Sequence, residues 1–214
     1  MEALYILLSY EKTLHFFINI CILYKAIVVI YNNKKVILYR GKERRGNVEF
    51  RKTNINDLPE VMKIIREAQS YFKEQGIDQW QNNYPNEEVI KNDIKNNHSY
   101  VLVKDGKIAA TTVASFNGEK TYDNIYEGKW LSEDKYIVIH RVAVASDLKG
   151  IGLATELMKN VEKLALQNNV YSIKGDTHED NKSMQRMFEK NGFVKCGVIY
   201  LEDKNKRIAF EKRL

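Results

Sequence analysis

The run Lys149-Gly150-Ile151-Gly152-Leu153-Ala154-Thr155 is the place where residue type and spacing first suggest chemistry. Two glycines, two positions apart, follow a β-branched stretch over 137–144 and lead directly into an amphipathic segment. A glycine loop that opens a helix aims backbone N–H groups and the positive end of the helix dipole at one point, which makes a seat for phosphate. Lys149 adds a point charge beside it, without the two-pronged reach of arginine. Histidine titrates close to neutral pH, so His140 in the β-branched stretch is a candidate proton carrier. Asp176 and His178, at the end of the next strand-like stretch, are candidates of the same kind. Gln79-Trp80-Gln81 with Tyr84 combines aromatic faces with amides, a set that stacks on and hydrogen-bonds small polar ligands. With two cysteines, Cys21 and Cys196, and four histidines without paired spacing, neither a disulfide framework nor a metal site is expected.

These side chains need elements to carry them. Residues 48–52 alternate as a short strand. Asn54 or Asn56 is placed to cap a helix in which Leu58, Val61, Met62, Ile65, Ala68 and Phe72 recur at helical spacing as far as Gly76. After the polar, aromatic loop at 79–85, Asn86 caps a short helix carrying Val89, Ile90 and Ile94. Segments 100–103 and 108–116 flank Asp105-Gly106, a strong hairpin signal. Residues 122–130 have no clear periodicity. The strand before the glycine loop feeds a helix over about 150–168, followed by a strand at 171–176 and a helix at 181–190. Residues 194–201 then pair with 207–211 across Asp203-Lys204-Asn205. The order β-α-α-β-β-β-α-β-α-β-β predicts one α/β domain over 48–214, with helices on the faces of a mixed sheet. Simple alternation along 137–144 puts His140, Val142 and Val144 on one face.

Two blocks, in this order, resemble a known family. Lys149-Gly150-Ile151-Gly152-Leu153-Ala154 is similar to the Gln/Arg-x-x-Gly-x-Gly/Ala signature of the GNAT superfamily of N-acetyltransferases, with Lys149 where Arg or Gln is usual. The stretch from Asn181 through Met187-Phe188-Glu189-Lys190-Asn191-Gly192-Phe193 resembles that family's late helix. Gln79-Trp80-Gln81 with Tyr84-Pro85, and Asp176-Thr177-His178, resemble one bacterial branch of it. The likeness covers about 48–214.

The resemblance implies a single mixed, mostly antiparallel central sheet flanked by helices, and acetyl-CoA as co-substrate. It implies a pyrophosphate on the amides of Lys149, Gly150, Ile151, Gly152, Leu153, Ala154 and Thr155. It also implies a pantetheine arm added like a strand along the backbone of Val142, Ala143 and Val144, where two strands splay. Asn181 would touch that arm and Phe188 would pack beside it. The implied reaction is direct attack, in a ternary complex, by the primary amine of a small metabolite or peptide. His140, Asp176 or His178 would serve as base, and Gln79, Trp80 and Tyr84 would line the acceptor pocket, with Trp130 and Tyr126 as weaker candidates. No covalent enzyme intermediate is needed, so Cys196 is expected to be structural. Phe188 departs from the family, which commonly has a tyrosine there that donates a proton to the leaving thiolate. That departure motivates the alternative of a catalytically quiet acetyl-CoA-binding sensor or interaction module. Members of the superfamily often dimerise, so a homodimer is among the implied partners.

The formal charge of +6 points to no nucleic-acid partner. Eight of the 34 Lys/Arg but only three of the 28 Asp/Glu lie in residues 1–47, so the rest of the chain is close to neutral. The apolar stretch 16–31 contains Asn19 and Lys25 and is shorter than the ~20 residues of a spanning helix, so a membrane partner is not favoured. Residues 1–47 are expected to be an extension outside the working domain: either a weakly membrane-associated segment or a stretch upstream of a native start near Val48. Few cysteines and no signal-peptide pattern lead to an expected cytoplasmic location.

Overall fold

The computed structural model describes residues 47–214 in full and the backbone of residues 26–31 and 34–39. The chain divides into two compact units, Met1–Arg45 and Gly46–Leu214. In the first, β1 (Ala26–Tyr31) and β2 (Lys34–Tyr39) pair antiparallel. The last six residues of the apolar stretch 16–31 are therefore a strand, in keeping with their run of β-branched side chains. The rest of that stretch, with Cys21, lies outside the described residues. Among the described residues no helix is long and apolar enough to cross a membrane.

The second unit is built on seven strands: β3 (Val48–Lys52), β4 (Ser99–Lys104), β5 (Lys107–Ser115), β6 (Ile137–Val144), β7 (Ser172–Thr177), β8 (Val194–Tyr200) and β9 (Lys206–Arg213). Their order in the sheet is β3-β4-β5-β6-β7-β9-β8, and only the β6–β7 pair is parallel. Four helices flank the sheet: α1 (Leu58–Glu74), α2 (Glu87–Lys95), α3 (Leu153–Gln167) and α4 (Lys182–Lys190). This is the mixed, mostly antiparallel architecture expected. One detail at the first helix differs. Asn54 completes a capping box with Asp57, but the box closes a 3-10 turn at Ile55–Asp57, and α1 begins only after it with Pro59 in its first turn.

Each face of the sheet has its own core. Leu157, Met158 and Val161 of α3 and Phe188 of α4 pack on Leu102, Ala110, Ile137, Ile139, Ile173 and Phe210. On the other face Val61, Ile64 and Ile65 of α1 and Ile90 of α2 cover Val101, Val103 and Ala143. Beside them Tyr122, Trp130, Val138, Cys196, Ile199 and Ala209 form a third cluster.

Two irregularities of β6 position the site. First, β6 pairs with β7 only at Ile137–Ile139 opposite Ile173–Gly175. Beyond that point β7 stays with β9 and β6 stays with β5, so the two parallel strands part and leave the β7-facing edge of residues 140–144 free. Second, β6 carries a bulge. Thr111 faces Ala143 and Val113 faces His140, so Arg141 and Val142 together oppose Thr112, with Arg141 at a φ of 52°. The extra residue changes the parity of the strand. Val142 and Val144 pack with the α3 side of the sheet, whereas His140 turns to Tyr122 on the opposite side. The expectation of one face for His140, Val142 and Val144 is thereby corrected.

Candidate active site

A cavity of about 430 Å³ lies where β6 and β7 separate. Its walls are His140, Arg141 and Val142 of β6, Asp176 of β7, Asn181 and Met184 at the start of α4, Arg207 of β9, the loop 78–84, and Glu119 with Thr121 after β5.

His140 sits between two carboxylates. Its Nε2 is 3.3 Å from Glu119 Oε2, and its Nδ1 is 3.8 Å from Asp176 Oδ1. Glu119 caps a 3-10 turn at Lys120–Tyr122, and its Oε1 accepts from the Thr121 amide (3.2 Å) and hydroxyl (3.0 Å). The His140 ring beside it, helped by the hydrogen bonds from Thr121, lowers the Glu119 carboxyl from the ordinary 4.5 to about 2 against the cost of burial. Asp176 Oδ1 accepts a 2.7 Å hydrogen bond from the Tyr122 hydroxyl. Burial, reinforced by the Asp176 charge, pushes that phenol well above its ordinary pKa, so Tyr122 remains a donor. Arg207 Nε stands 4.0 Å behind Asp176 Oδ2.

The bulged Arg141 reaches the other way. Nη2 donates to Asp93 Oδ1 of α2 and Nη1 to the Tyr84 hydroxyl, both at 2.8 Å. Asp93 Oδ2 and Arg141 Nε are buried without a partner among the described residues. Burial outweighs the guanidinium and raises the Asp93 carboxyl above its ordinary value. The loop is tied down by Gln79, whose Oε1 accepts from Asn181 Nδ2 at 2.8 Å, and by Trp80, whose ring meets Phe72 edge-on at 5.5 Å. Asn181 also caps α4, accepting from the Met184 amide.

The glycine loop joins the end of β6 to α3. Gly150 (φ 82°) and Gly152 (φ 90°, the N-cap of α3) adopt left-handed backbone with open space where a Cβ would stand. Among the described residues the amides of 149–155 donate no hydrogen bond, so they are free donors beside a helix N-terminus. The side chain of Lys149 is turned aside, with Nζ 4.4 Å above the Tyr71 ring.

This pairing of a parted strand edge with a free glycine-loop nest stands within residues 60–193, which match the model of the acetyltransferase (GNAT) family. The chain belongs to the GNAT acetyltransferase family. It is similar to a GNAT-family acetyltransferase of Streptococcus agalactiae, with 32% identity over 78% of this chain and 95% of that one, at a TM-score of 0.72. The fold is shared with a GNAT-family acetyltransferase of Listeria monocytogenes (21% identity, 78% and 95% covered, TM-score 0.61). It is shared too with the PaiA N-acetyltransferase of Thermoplasma acidophilum in complex with coenzyme A (16% identity, 78% and 99% covered, TM-score 0.59). No curated protein matches the chain.

In this GNAT acyltransferase the cavity brings together His140, Asp176, Gln79, Trp80, Tyr84, Val142 and Asn181. It does not include His178, whose Nδ1 accepts from the Asp180 amide at 3.2 Å in the turn before α4. The structure thus does not bring His178 together with the other expected residues. The expectation for Phe188 is corrected. Phe188 has no exposed surface, stacks on Phe210 at 4.8 Å and leans on Phe193 at 4.9 Å, so it is core and not a wall for a bound arm. Trp130 is buried under Tyr122 and Tyr126 lies exposed against Tyr200, both away from the cavity. Cys196 is buried, and burial raises its thiol pKa, which suits a structural residue.

Sequence reasoning did not find Glu119, Tyr122, Arg207 or the Arg141–Asp93 pair. The signal for Glu119 was its spacing before Thr121, a side-chain cap for a short turn.

Proposed function

We propose that the protein transfers an acetyl group from acetyl-CoA to the primary amine of a small metabolite or peptide by direct attack in a ternary complex. The observation that carries this reading is the continuity of three features: seven free amides at 149–155, the unpaired edge of β6 over 140–144, and a cavity holding a histidine at the end of that edge. The residues present fit coenzyme A. The loop amides suit a pyrophosphate, with Gly150 and Gly152 leaving room for close approach. The β6 backbone at Val142–Val144 suits the amides of a pantetheine arm, and Asn181 offers a polar contact beside it. The coenzyme A complex of the Thermoplasma relative supports the same ligand here. When bound, acetyl-CoA supplies an acyl group already activated as a thioester.

The chain's own residues do the rest. The cavity holds the amine beside the parted strands, and positioning alone is a large part of such catalysis. His140 takes a proton from the acceptor ammonium, and Asp176, fixed by Tyr122, compensates the charge that the imidazole gains. Trp80, Tyr84 and Gln79 form the acceptor wall. Thiol release followed with dithionitrobenzoate across a panel of amines tests the reading. Saturable release with at least one amine is expected; tight binding of acetyl-CoA without turnover on any amine would overturn it.

A further inference from the structure

We propose that Glu119 is a positioning residue that fixes the tautomer of His140, so that Nε2 carries the hydrogen and Nδ1 presents its lone pair to the acceptor. The proposal rests on the reading of His140 as the base and goes on to say which of its nitrogens works and what decides it.

The carboxylate oxygen nearest the ring is Glu119 Oε2, 3.3 Å from Nε2, and because a carboxylate can only accept, this contact favours hydrogen on Nε2. Nδ1 is then free. It faces Asp176 Oδ1 across 3.8 Å, too far for a hydrogen bond, and that oxygen is already taken by the Tyr122 hydroxyl at 2.7 Å. Asp176 thus acts as a fixed charge beside Nδ1 and leaves its lone pair unengaged.

Glu119 is well built for the task. Its other oxygen is gripped by the Thr121 amide and hydroxyl, and its own amide donates to the Tyr136 hydroxyl at 3.1 Å. One short turn therefore supplies both controls, because Glu119 begins it and Tyr122 ends it. This is the pattern of a base oriented by a third group, which recurs wherever an imidazole must present one chosen nitrogen. The charged groups around the ring are Glu119 ahead of the turn, Asp176 on β7 with Arg207 of β9 behind it, and Arg141 with its partner Asp93 of α2. Glu119 alone among them is placed to accept from Nε2.

The test reads both the ring and the rate. In wild-type protein, nitrogen NMR of the His140 ring above its titration should report hydrogen on Nε2; a ring with hydrogen on Nδ1 overturns the proposal whatever the enzyme does. In Glu119→Gln the signal should shift toward a mixture of tautomers. The kcat should fall by about 10–100-fold, a fraction of what a general base contributes. KM for acetyl-CoA should hold, and the acid limb of the kcat profile should move to lower pH, because the imidazolium loses a carboxylate partner. Glu119→Asp should restore part of the rate. An unchanged ring signal and acid limb in Glu119→Gln sink the proposal, and so does a rate loss matched by partial unfolding. His140→Ala separates the two levels. If that variant keeps the acid limb while the wild-type ring still shows the Nε2 tautomer, the base assignment fails and the positioning contact stands as structure only.

Discussion

Replacing Arg141 with methionine isolates the most exposed weakness of the fold, a buried carboxylate that depends on a single cation. The side chains of Asp93 and Arg141 are only 8% and 14% exposed, and they meet through one 2.8 Å bond while Asp93 Oδ2 has no partner among the described residues. Breaking such a pair from one side leaves a charge with nothing to offset its lost hydration, at a cost of about 3–5 kcal/mol. Against a total stability of roughly 5–15 kcal/mol, that is a large fraction. For a domain of this size it corresponds to a fall in melting temperature of about 6–20 °C. The Tyr84 hydroxyl also loses its donor, but it is more exposed and adds little. Removing the carboxylate as well, in Arg141→Met with Asp93→Leu, should recover most of the loss, since apolar pairs of similar volume replace buried ion pairs without penalty. The pH dependence carries the signature. Burial already raises the Asp93 carboxyl, and it must rise further without the guanidinium. A folded-state pKa above the unfolded one weakens the fold at higher pH, and the penalty fades as pH falls through it. The gap between wild type and Arg141→Met should therefore narrow as pH falls from neutrality toward the carboxylate range. Thermal unfolding followed by circular dichroism measures each quantity. A single variant that loses less than about 1 kcal/mol, or a double variant no more stable than the single, refutes the reasoning.

Glutamate at position 152 should weaken coenzyme A binding by at least about 30-fold, by putting a negative charge into a nest of free amides. A Cβ there meets open space, and the left-handed φ of 90° adds only about 1–2 kcal/mol of backbone strain, so the protein should still fold, and calorimetry showing unchanged affinity would contradict the phosphate seat. Gly128→Ala would bring a Cβ to 2.0 Å from the Cys196 carbonyl oxygen. Hydrogen exchange at Val198, which pairs with Tyr126, should accelerate, with a loss of about 1–3 kcal/mol in urea unfolding. The depressed Glu119 carboxyl contributes stability that is fully present above its ordinary 4.5 and is lost as pH falls toward about 2. With the side chain 30% exposed, screening leaves about 1–2 kcal/mol, visible as a flatter acid profile for Glu119→Gln in urea titrations across that window.

The strands and helices of 48–214 were legible because their signals are local. Asn86 does cap α2, Asp105-Gly106 does turn the β4–β5 hairpin, and apolar spacing does mark α1 and α3. The phosphate-type loop was legible for the same reason, as its two glycines are neighbours in the chain. What escaped depends on pairs distant in sequence. The bulge at Arg141 contains no glycine or proline to announce it, and the side chain there is bound by Asp93, 48 residues away. Once that bulge is missed, alternation puts Val142 on the face of His140. The turn at 120–122 has no apolar rhythm, since its Tyr122 is fixed by a bond to Asp176, 54 residues on. Phe188 shows the converse error. A motif placed it beside a ligand, whereas the packing of Phe193 and Phe210 around it has no counterpart in local sequence.

The tight seat of Phe188 also bears on how this chain could acquire a phenol at that point. The para carbon of the ring lies 2.9 Å from where Gly175 would carry a Cβ, and Ile139 closes the same space at 3.0 Å. A hydroxyl built onto that carbon would be driven into the bare main chain of β7, in an interior packed as densely as a crystal. Exchanging phenylalanine for tyrosine would thus deliver an oxygen to the wrong address. Strand and helix here have been shaped to each other, so recovering a proton donor at this position takes coordinated change in both.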